Sequence, residues 1–422
     1  KPALVFKSKS KRITLEYASG KNRSFDTKLD PLAELEKILS EYRQAPMAGL
    51  PPFSGGAVGY LSYDTVRFFE KIPDKNKDVQ QIPDSLFIFT DTLFVFDHIR
   101  QTIKVVSNAV IHKGDRPEIV YRQAVQKIDE QIRTLRGSGL PKAKPARFSK
   151  IKMSSNFSKN GFESIVKKAQ AYIRKGDIFQ VVLSQAFSTD IQNDAFHIYR
   201  SLRSVNPSPY MFYINGGDFQ LVGSSPEVHV RCENGKAMLR PIAGTRPRGA
   251  SPAEDKKFET DLLADAKERA EHLMLVDLGR NDLGRVCAYK TVKVPEFMTI
   301  ERYSHVMHIV SLVKGQLRKG QTAFDLLRAT FPAGTVSGEI IDELENQKRG
   351  FYSGVVGYFG YSGNLDSCIT IRTILVKNKR AYVQAGAGIV TDSKPAMEYQ
   401  ETVNKAKALV RAIELSHKEA FV

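Results

Sequence analysis

The stretch "GAVGYLSY" (Gly56–Tyr63) returns almost unchanged near the other end of the chain as "GVVGYFGY" (Gly354–Tyr361). Both copies read as strands, with apolar and aromatic side chains set among residues of no bulk. Either chance has produced one short match, or the two segments are equivalent strands of one architecture. In the second case the two halves of the chain share a core, and whatever lies between them is a connection.

Upstream of the first copy, "DPLAELEKILSEY" places Leu32, Leu35, Ile38 and Leu39 at helical spacing among short β-like runs. Downstream, "RPEIVYRQAVQKIDEQIRTL" reads as a second helix ending near Arg136. It is followed by "RGSGLPKAKPARFSK", whose Gly, Pro and Lys mark a linker near 137–150. We therefore divide the chain into an N-terminal region, 1–150, contributing strands and a regulatory or partner surface, and a core, 151–422. The core alternates amphipathic helices with strand-like runs and hairpin signals. That pattern argues for an α+β fold rather than a doubly wound parallel sheet.

With 422 residues, 42% hydrophobic and 26% charged, the chain can form more than one domain-sized core. No apolar run approaches the roughly 20 residues that span a bilayer, so no membrane is expected. No secretory signal pattern opens the sequence. Cys232, Cys287 and Cys368 stand far apart without CxxC spacing, which suits neither a disulfide framework nor a zinc site and favours a reducing cytoplasm. Lys and Arg outnumber Asp and Glu by 63 to 46, a net charge of +17. The basic residues form no arginine-rich tract, so we prefer a solvated basic surface to a nucleic-acid partner. The same field suits a small acidic substrate.

Two acidic pairs fall on helical faces. Glu268 and Glu271 are three apart in "KERAEHLML", behind a Ser251–Glu254 capping box. Glu398, Glu401 and Lys405 recur at i, i+3 and i+7 beside an apolar stripe of Tyr399, Val403, Ala406, Val410 and Ile413. Such carboxylates are commonly solvated, and Glu271 could pair with Arg269 or Lys267. Alternatively, one Glu from each helix suffices for Mg²⁺, which keeps several waters and takes substrate oxygens. His308, in "YSHVMHIVS", is either hydrogen-bonded core or a general acid or polariser. The turns "PIAGTRPRG" and "VQAGAGIV" match neither GxGxxG nor the P-loop. Arg372 lies in "CITIRTILV", read as one alternating strand whose inward guanidinium needs a carboxylate. The loop in "FPAGTVSGEIIDELE" (Phe331–Glu345) presents backbone N–H groups at a helix start.

Taken together and in order, "PIAGTRPRG", "AEHLMLVDLGRNDLGRV", "YSHVMHIVS", "FPAGTVSG" and "AGAGIVTDSKPAMEYQET" make the chain resemble the chorismate-utilising enzymes, the anthranilate-forming branch above all. The resemblance implies a four-layer α/β/β/α sandwich of two antiparallel sheets with outer helices. It implies a Mg²⁺–chorismate site that adds ammonia at ring carbon 2 and eliminates pyruvate. By motif, Glu271 and Glu401 match metal ligands, supported by Glu268 and Glu398. Gly244, Thr245, Tyr352, Arg372, Gly386, Ala387, Gly388 and Lys405 match positions around the substrate. His308, Glu227 (in "GSSPEV") and Thr335 match catalytic positions. Isochorismate and salicylate synthases carry Lys where this chain has Gln180, and aminodeoxychorismate synthases, the alternative reading, carry Lys where it has Ala243. Both positions point to ammonia attack and anthranilate. The ammonia source implied is a separate glutamine amidotransferase subunit. Pro209, Tyr210 and Met211, in "NPSPYMFY", match half of a tryptophan inhibitor site, while its Leu-Leu-Glu-Ser half does not occur in these residues. The family's loop also runs about seven residues longer between Gly338 and Glu339, which suggests a segment missing there.

Overall fold

The computed structural model describes residues 2–45, 47, 49–137, 151–303, 306–333 and 338–416. The two echoed segments are neighbouring strands. Gly56–Leu61 pairs antiparallel with Val355–Gly360 in a register that sets Gly59 opposite Gly357. Each strand thus meets its own echo across a local two-fold axis. Both glycines are required by close approach. A Cβ on Gly59 would lie 1.8 Å from the carbonyl oxygen of Leu86, and one on Gly357 2.3 Å from that of Asp366. These obstacles are backbone, which cannot step aside as a side chain can.

The pairing makes one 12-stranded antiparallel sheet from both regions, with Leu4–Lys9, Arg12–Tyr17, Asn22–Asp26 and Ser85–Thr90 beyond Gly56–Leu61 on one side. A six-stranded antiparallel sheet, including Tyr210–Asn215, Phe219–Ser225, Thr373–Lys377, Arg380–Ile389 and Val181–Asp190, lies against it. The faces meet in an apolar layer where Tyr60 and Leu86 of the large sheet pack with Phe219, Leu221 and Leu375 of the small one. Helices Pro31–Leu39, Ala266–Val286 and Ala323–Thr330 bury their apolar sides on the outer face of the large sheet. Ala195–Val205 and Pro395–Ser416 do so on the small sheet. The α+β, four-layer expectation therefore describes the molecule. No described helix is long and apolar enough to cross a membrane.

Two local readings change. "CITIRTILV" is not one strand: Leu365–Ile369 belongs to the large sheet and Thr373–Lys377 to the small one, with Arg372 at the kink between them. Alternation continues through the kink, which is why the sequence hid it. On the Pro395–Ser416 helix the buried line is Thr402, Ala406, Leu409 and Ile413, with Tyr399, Val403 and Val410 half-buried at its flanks. Small residues take the centre because this helix packs against both Ala195–Val205 and the sheet. Gly338 and Glu339 begin the helix Gly338–Leu344, and residues 334–337 of the loop before it lie outside the described residues. The linker 138–150 lies outside the described residues.

Replacing Gly59 by Ala should cost about 3 kcal/mol, since the added methyl meets backbone. Gly284→Ala, in the Ala266–Val286 helix with open space around it, should instead stabilise by roughly 1 kcal/mol. Urea denaturation of the two variants measures both.

Candidate active site

Beyond residue 151 the chain passes from one sheet to the other twice, and a site residue stands at each of these passages. Phe219–Ser225 belongs to the small sheet and Val228–Glu233 to the large one, with Glu227 between them. The return passage is the one holding Arg372. The two corners are stitched together: Ile369 N donates to Glu227 O at 3.1 Å, and Ser224 N to Arg372 O at 3.1 Å. Ser225 Oγ donates to Ile369 O at 2.7 Å. Arg372 has φ 51, a left-handed conformation that costs a side chain on the order of 1 kcal/mol. Its Nη1 donates to Lys405 O at 3.3 Å rather than to the carboxylate expected from sequence.

In front of Arg372 opens a cleft of about 560 Å³, lined also by Glu398, Glu401 and Lys405 and by Met397, Gln400 and Asn404 of the same helix. Lys405 Nζ is 2.6 Å from Glu401 Oε1 and donates to Gly386 O at 3.1 Å. Gly386 and Gly388 share one face of the Arg380–Ile389 strand, and each leaves room for a neighbour. A Cβ at Gly386 would stand 2.6 Å from Tyr352 Oη, and one at Gly388 2.7 Å from Gln180 Nε2. Ala387 points the other way and is fully buried.

Gln180 leads to the second helix, its Nε2 donating to Glu271 Oε1 at 3.2 Å. The Ala266–Val286 helix begins at Asp265, whose carboxylate accepts from Lys267 N and Glu268 N. This cap fixes Glu268 in the first turn. Arg246 spreads over Asp261, Asp265 and Glu268, with its Nη1 3.4 Å from Glu268 Oε1. Burial, reinforced by Glu271, raises the Glu268 carboxyl. Burial and then Glu401 raise that of Glu398, against Ser393, Lys405 and Lys267. Gln180, beside Gly388 and bonded to Glu271, links the Ala266–Val286 helix to the strand that Lys405 of the Pro395–Ser416 helix also touches.

His308 completes this edge from the Val306–Gln316 strand. The adjacent Ile242–Pro247 strand bulges between Ala243 and Thr245, with Gly244 at φ 78. His308 Nδ1 lies 3.2 Å from Gly244 O and 3.0 Å from Thr245 Oγ1. The Gly244 carbonyl can only accept, so that contact calls for a proton on Nδ1 and leaves Nε2 its lone pair, whereas the Thr245 hydroxyl can serve either tautomer. Burial lowers the His308 pKa. Burial pushes the Glu227 carboxyl the other way, up to about 7, against the pull of Lys405. One group holds its proton near neutrality and the other gives it up.

The structure thus gathers most of the expected residues. Thr335 lies outside the described residues. Pro209, Tyr210 and Met211 stand away from the cleft, on and beside the outer strand of the small sheet, where Tyr210 Oη donates to Asp366 Oδ1 at 2.7 Å. Sequence reasoning overlooked Arg246, although it adjoins Thr245, and the buried Glu345–Arg349 pair, although its i, i+4 spacing is plain. As for a metal, no three of His, Cys, Asp and Glu converge on one point among the described residues. The available donors are all carboxylates, in two pairs, and in each pair burial and the neighbouring carboxylate raise one member, Glu268 in the first and Glu398 in the second. That oxygen set fits a hard cation which completes its shell with water and substrate.

The chain belongs to the chorismate binding enzyme family, whose model matches residues 2–411. Within it, the chain is similar to anthranilate synthase component 1 of Acetivibrio thermocellus, 47% identical over 98% of this chain and 85% of that protein. The protein of the same name from Aquifex aeolicus is 48% identical over 95% of this chain and 82% of its own length. The crystal structure of anthranilate synthase component I from Streptococcus pneumoniae TIGR4 superposes with a TM-score of 0.86 at 38% identity, covering 97% of this chain and 90% of that one.

A carboxyl with a folded pKa of about 7 against an ordinary 4.5 binds its proton more tightly when folded. The stability this lends is present below 4.5 and is lost as pH rises through 7. Glu227→Gln should therefore gain thermal stability over wild type progressively across that window. Melting curves that stay parallel from pH 4.5 to 8 would show that Glu227 is not held protonated.

Proposed function

We propose that this chain is the synthase component of an anthranilate synthase, converting chorismate and ammonia to anthranilate and pyruvate. The observation that carries the proposal is the convergence of Arg372, Glu398, Glu401 and Lys405 on one cleft, in a chain 47–48% identical to proteins named anthranilate synthase component 1. Chorismate is a dicarboxylate, so it needs positive charge at both ends. Arg372 and Lys405 supply it at one end, beside the notch at Gly386. Mg²⁺, held by Glu271 and Glu401 with Glu268 and Glu398 beside them, would supply it at the other and offset the like charges of the carboxylates.

The opposed pKa shifts at Glu227 and His308 suggest a division of labour. Glu227, protonated near neutrality, donates to the departing ring hydroxyl. His308, neutral and bound to Gly244 and Thr245 through Nδ1, offers Nε2 as acceptor or polariser. Thr335 belongs to the same reading as a substrate-facing residue. Gln180 has no basic nitrogen, so it cannot activate water, and ammonia is the nucleophile that remains.

Ammonia would come from a separate glutaminase subunit. A glutaminase needs an activated thiolate, whereas Cys232, Cys287 and Cys368 are all buried and unbridged. Burial pushes Cys232 up to about 11 and Cys368 up to about 12. These unpaired thiols also suit a cytoplasmic setting. Pro209, Tyr210 and Met211 are proposed as part of a tryptophan inhibitor site.

Glu271→Gln and Glu401→Gln should each abolish Mg²⁺-dependent anthranilate fluorescence from chorismate and ammonium salts. Near-full turnover in both would sink the assignment. It would favour instead a basic binding protein acting through its +17 charge, detectable as salt-sensitive nucleic-acid binding.

Gln180→Lys should let water compete with ammonia and yield some isochorismate by chromatography of the products. Anthranilate alone from that variant would count against the nucleophile argument.

A further inference from the structure

We propose that Arg349 is a positioning residue of the cleft, acting on the substrate through Tyr352; this rests on the chorismate reading above. Arg349 and Glu345 form an ion pair with side chains only 1% and 2% exposed. Arg349 Nη2 and Nε donate to the two Glu345 carboxylate oxygens at 2.6 and 3.0 Å. Nη2 also donates to Val182 O at 2.6 Å. Glu345 Oε1 accepts in addition from Ser184 N and Ser184 Oγ, both at 2.8 Å. The guanidinium lies 5.0 Å from the ring centre of Tyr63 and 5.6 Å from that of Tyr352.

Taking two charges out of water costs several kcal/mol per ion, and a core that merely needed filling would use apolar side chains. What the fork does that apolar groups cannot is hold partners at fixed angles. Two of those partners lead to the cleft. Val182 and Ser184 stand in register with Gly388 and Gly386, the two residues that make room for Gln180 and Tyr352. Tyr352 places its hydroxyl into the space beside Gly386, whose carbonyl receives Lys405. One guanidinium therefore sets both the notch and the hydroxyl that occupies it.

Steady-state kinetics of Arg349→Lys, Tyr352→Phe and the double variant test this on the full chain with chorismate, Mg²⁺ and ammonium. Lys keeps the charge but cannot make the fork. Each single change should raise KM for chorismate, by up to about a hundredfold, with kcat altered much less. Because both act on one hydroxyl, the double variant should be no worse than the poorer single. Effects that multiply would overturn the inference. Should Arg349→Lys fail to fold, Arg349→Met combined with Glu345→Leu leaves no uncompensated ion in the core. It should keep a near wild-type melting temperature with the same rise in KM, and an unchanged KM overturns the proposal. A wild-type chain with no turnover of chorismate defeats the cleft reading and this inference together. An active wild type with multiplying variants defeats the inference alone.

Discussion

A strand edge must be covered, and in this chain the cover for Gly56–Leu61 comes from the other end of the sequence. Val355–Gly360 supplies it. Without this pairing the five strands before residue 91 would form a sheet with an open edge, and the strands after residue 227 would form another. The join extends past the ladder. Tyr63 N donates to Gly350 O, and Gly350 N to Asp64 Oδ2, both at 2.8 Å. Arg67 reaches Asp342 Oδ1 at 2.6 Å. The N-terminal strands and the turn after them thus hold the segment 342–350 in place. That segment carries Glu345 and Arg349, so the support for Tyr352 originates in a region that contributes no residue to the lining of the cleft.

The cleft is organised by a second constraint, the repulsion of like charges. Two helices bring paired carboxylates to one side of the molecule, and each pair already has a cationic neighbour. Lys405 sits on Glu401 and Arg246 beside Glu268. The two cations differ in what else they hold. Arg246 also binds Asp261 and Asp265, which ties it to the scaffold. Among the described residues, the Lys405 ammonium is bound otherwise only to a carbonyl oxygen, that of Gly386. The Pro395–Ser416 end of the site can therefore rearrange its charges at lower cost than the Ala266–Val286 end.

What could be read from the sequence was whatever depends on neighbours along the chain. The echo, the Leu32–Leu39 helix and the two Glu pairs are spacing signals, and the structure reproduces their elements. What could not be read depends on what arrives from elsewhere. "VQAGAGIV" was legible as a run of small residues, but its purpose as a set of notches needs Tyr352 and Gln180 to come from other segments. Glu345 and Arg349 have the spacing of an ordinary surface pair, and only the packing of Tyr63, Tyr352 and Val182 around them makes them interior. On the Pro395–Ser416 helix the spacing marks Ala406 and Ile413, which are buried, but passes over Thr402 and Leu409 and gives Tyr399, Val403 and Val410 a deeper place than the flanks they occupy. At a close helix–helix contact the centre goes to small residues such as Thr402 and Ala406.

Arg372 shows why the passage between sheets is a natural place for chemistry. Inside a ladder, a residue's backbone is committed to both neighbours and its side chain to one of two faces. At a passage neither holds. Glu227 and Arg372 lie between strands, and their backbones are satisfied by one another's corner through Ile369 and Ser224 rather than by a continuing ladder. Both side chains are consequently released from the alternation that would bury them in the apolar layer between Tyr60 and Phe219. The left-handed backbone of Arg372 is the local cost of that release. A straight strand of the same composition would have placed the guanidinium on one face and broken the join between the sheets. The kink keeps both sheets intact and still delivers a cation, while the corner bonded to it carries a carboxyl that burial pushes up to about 7.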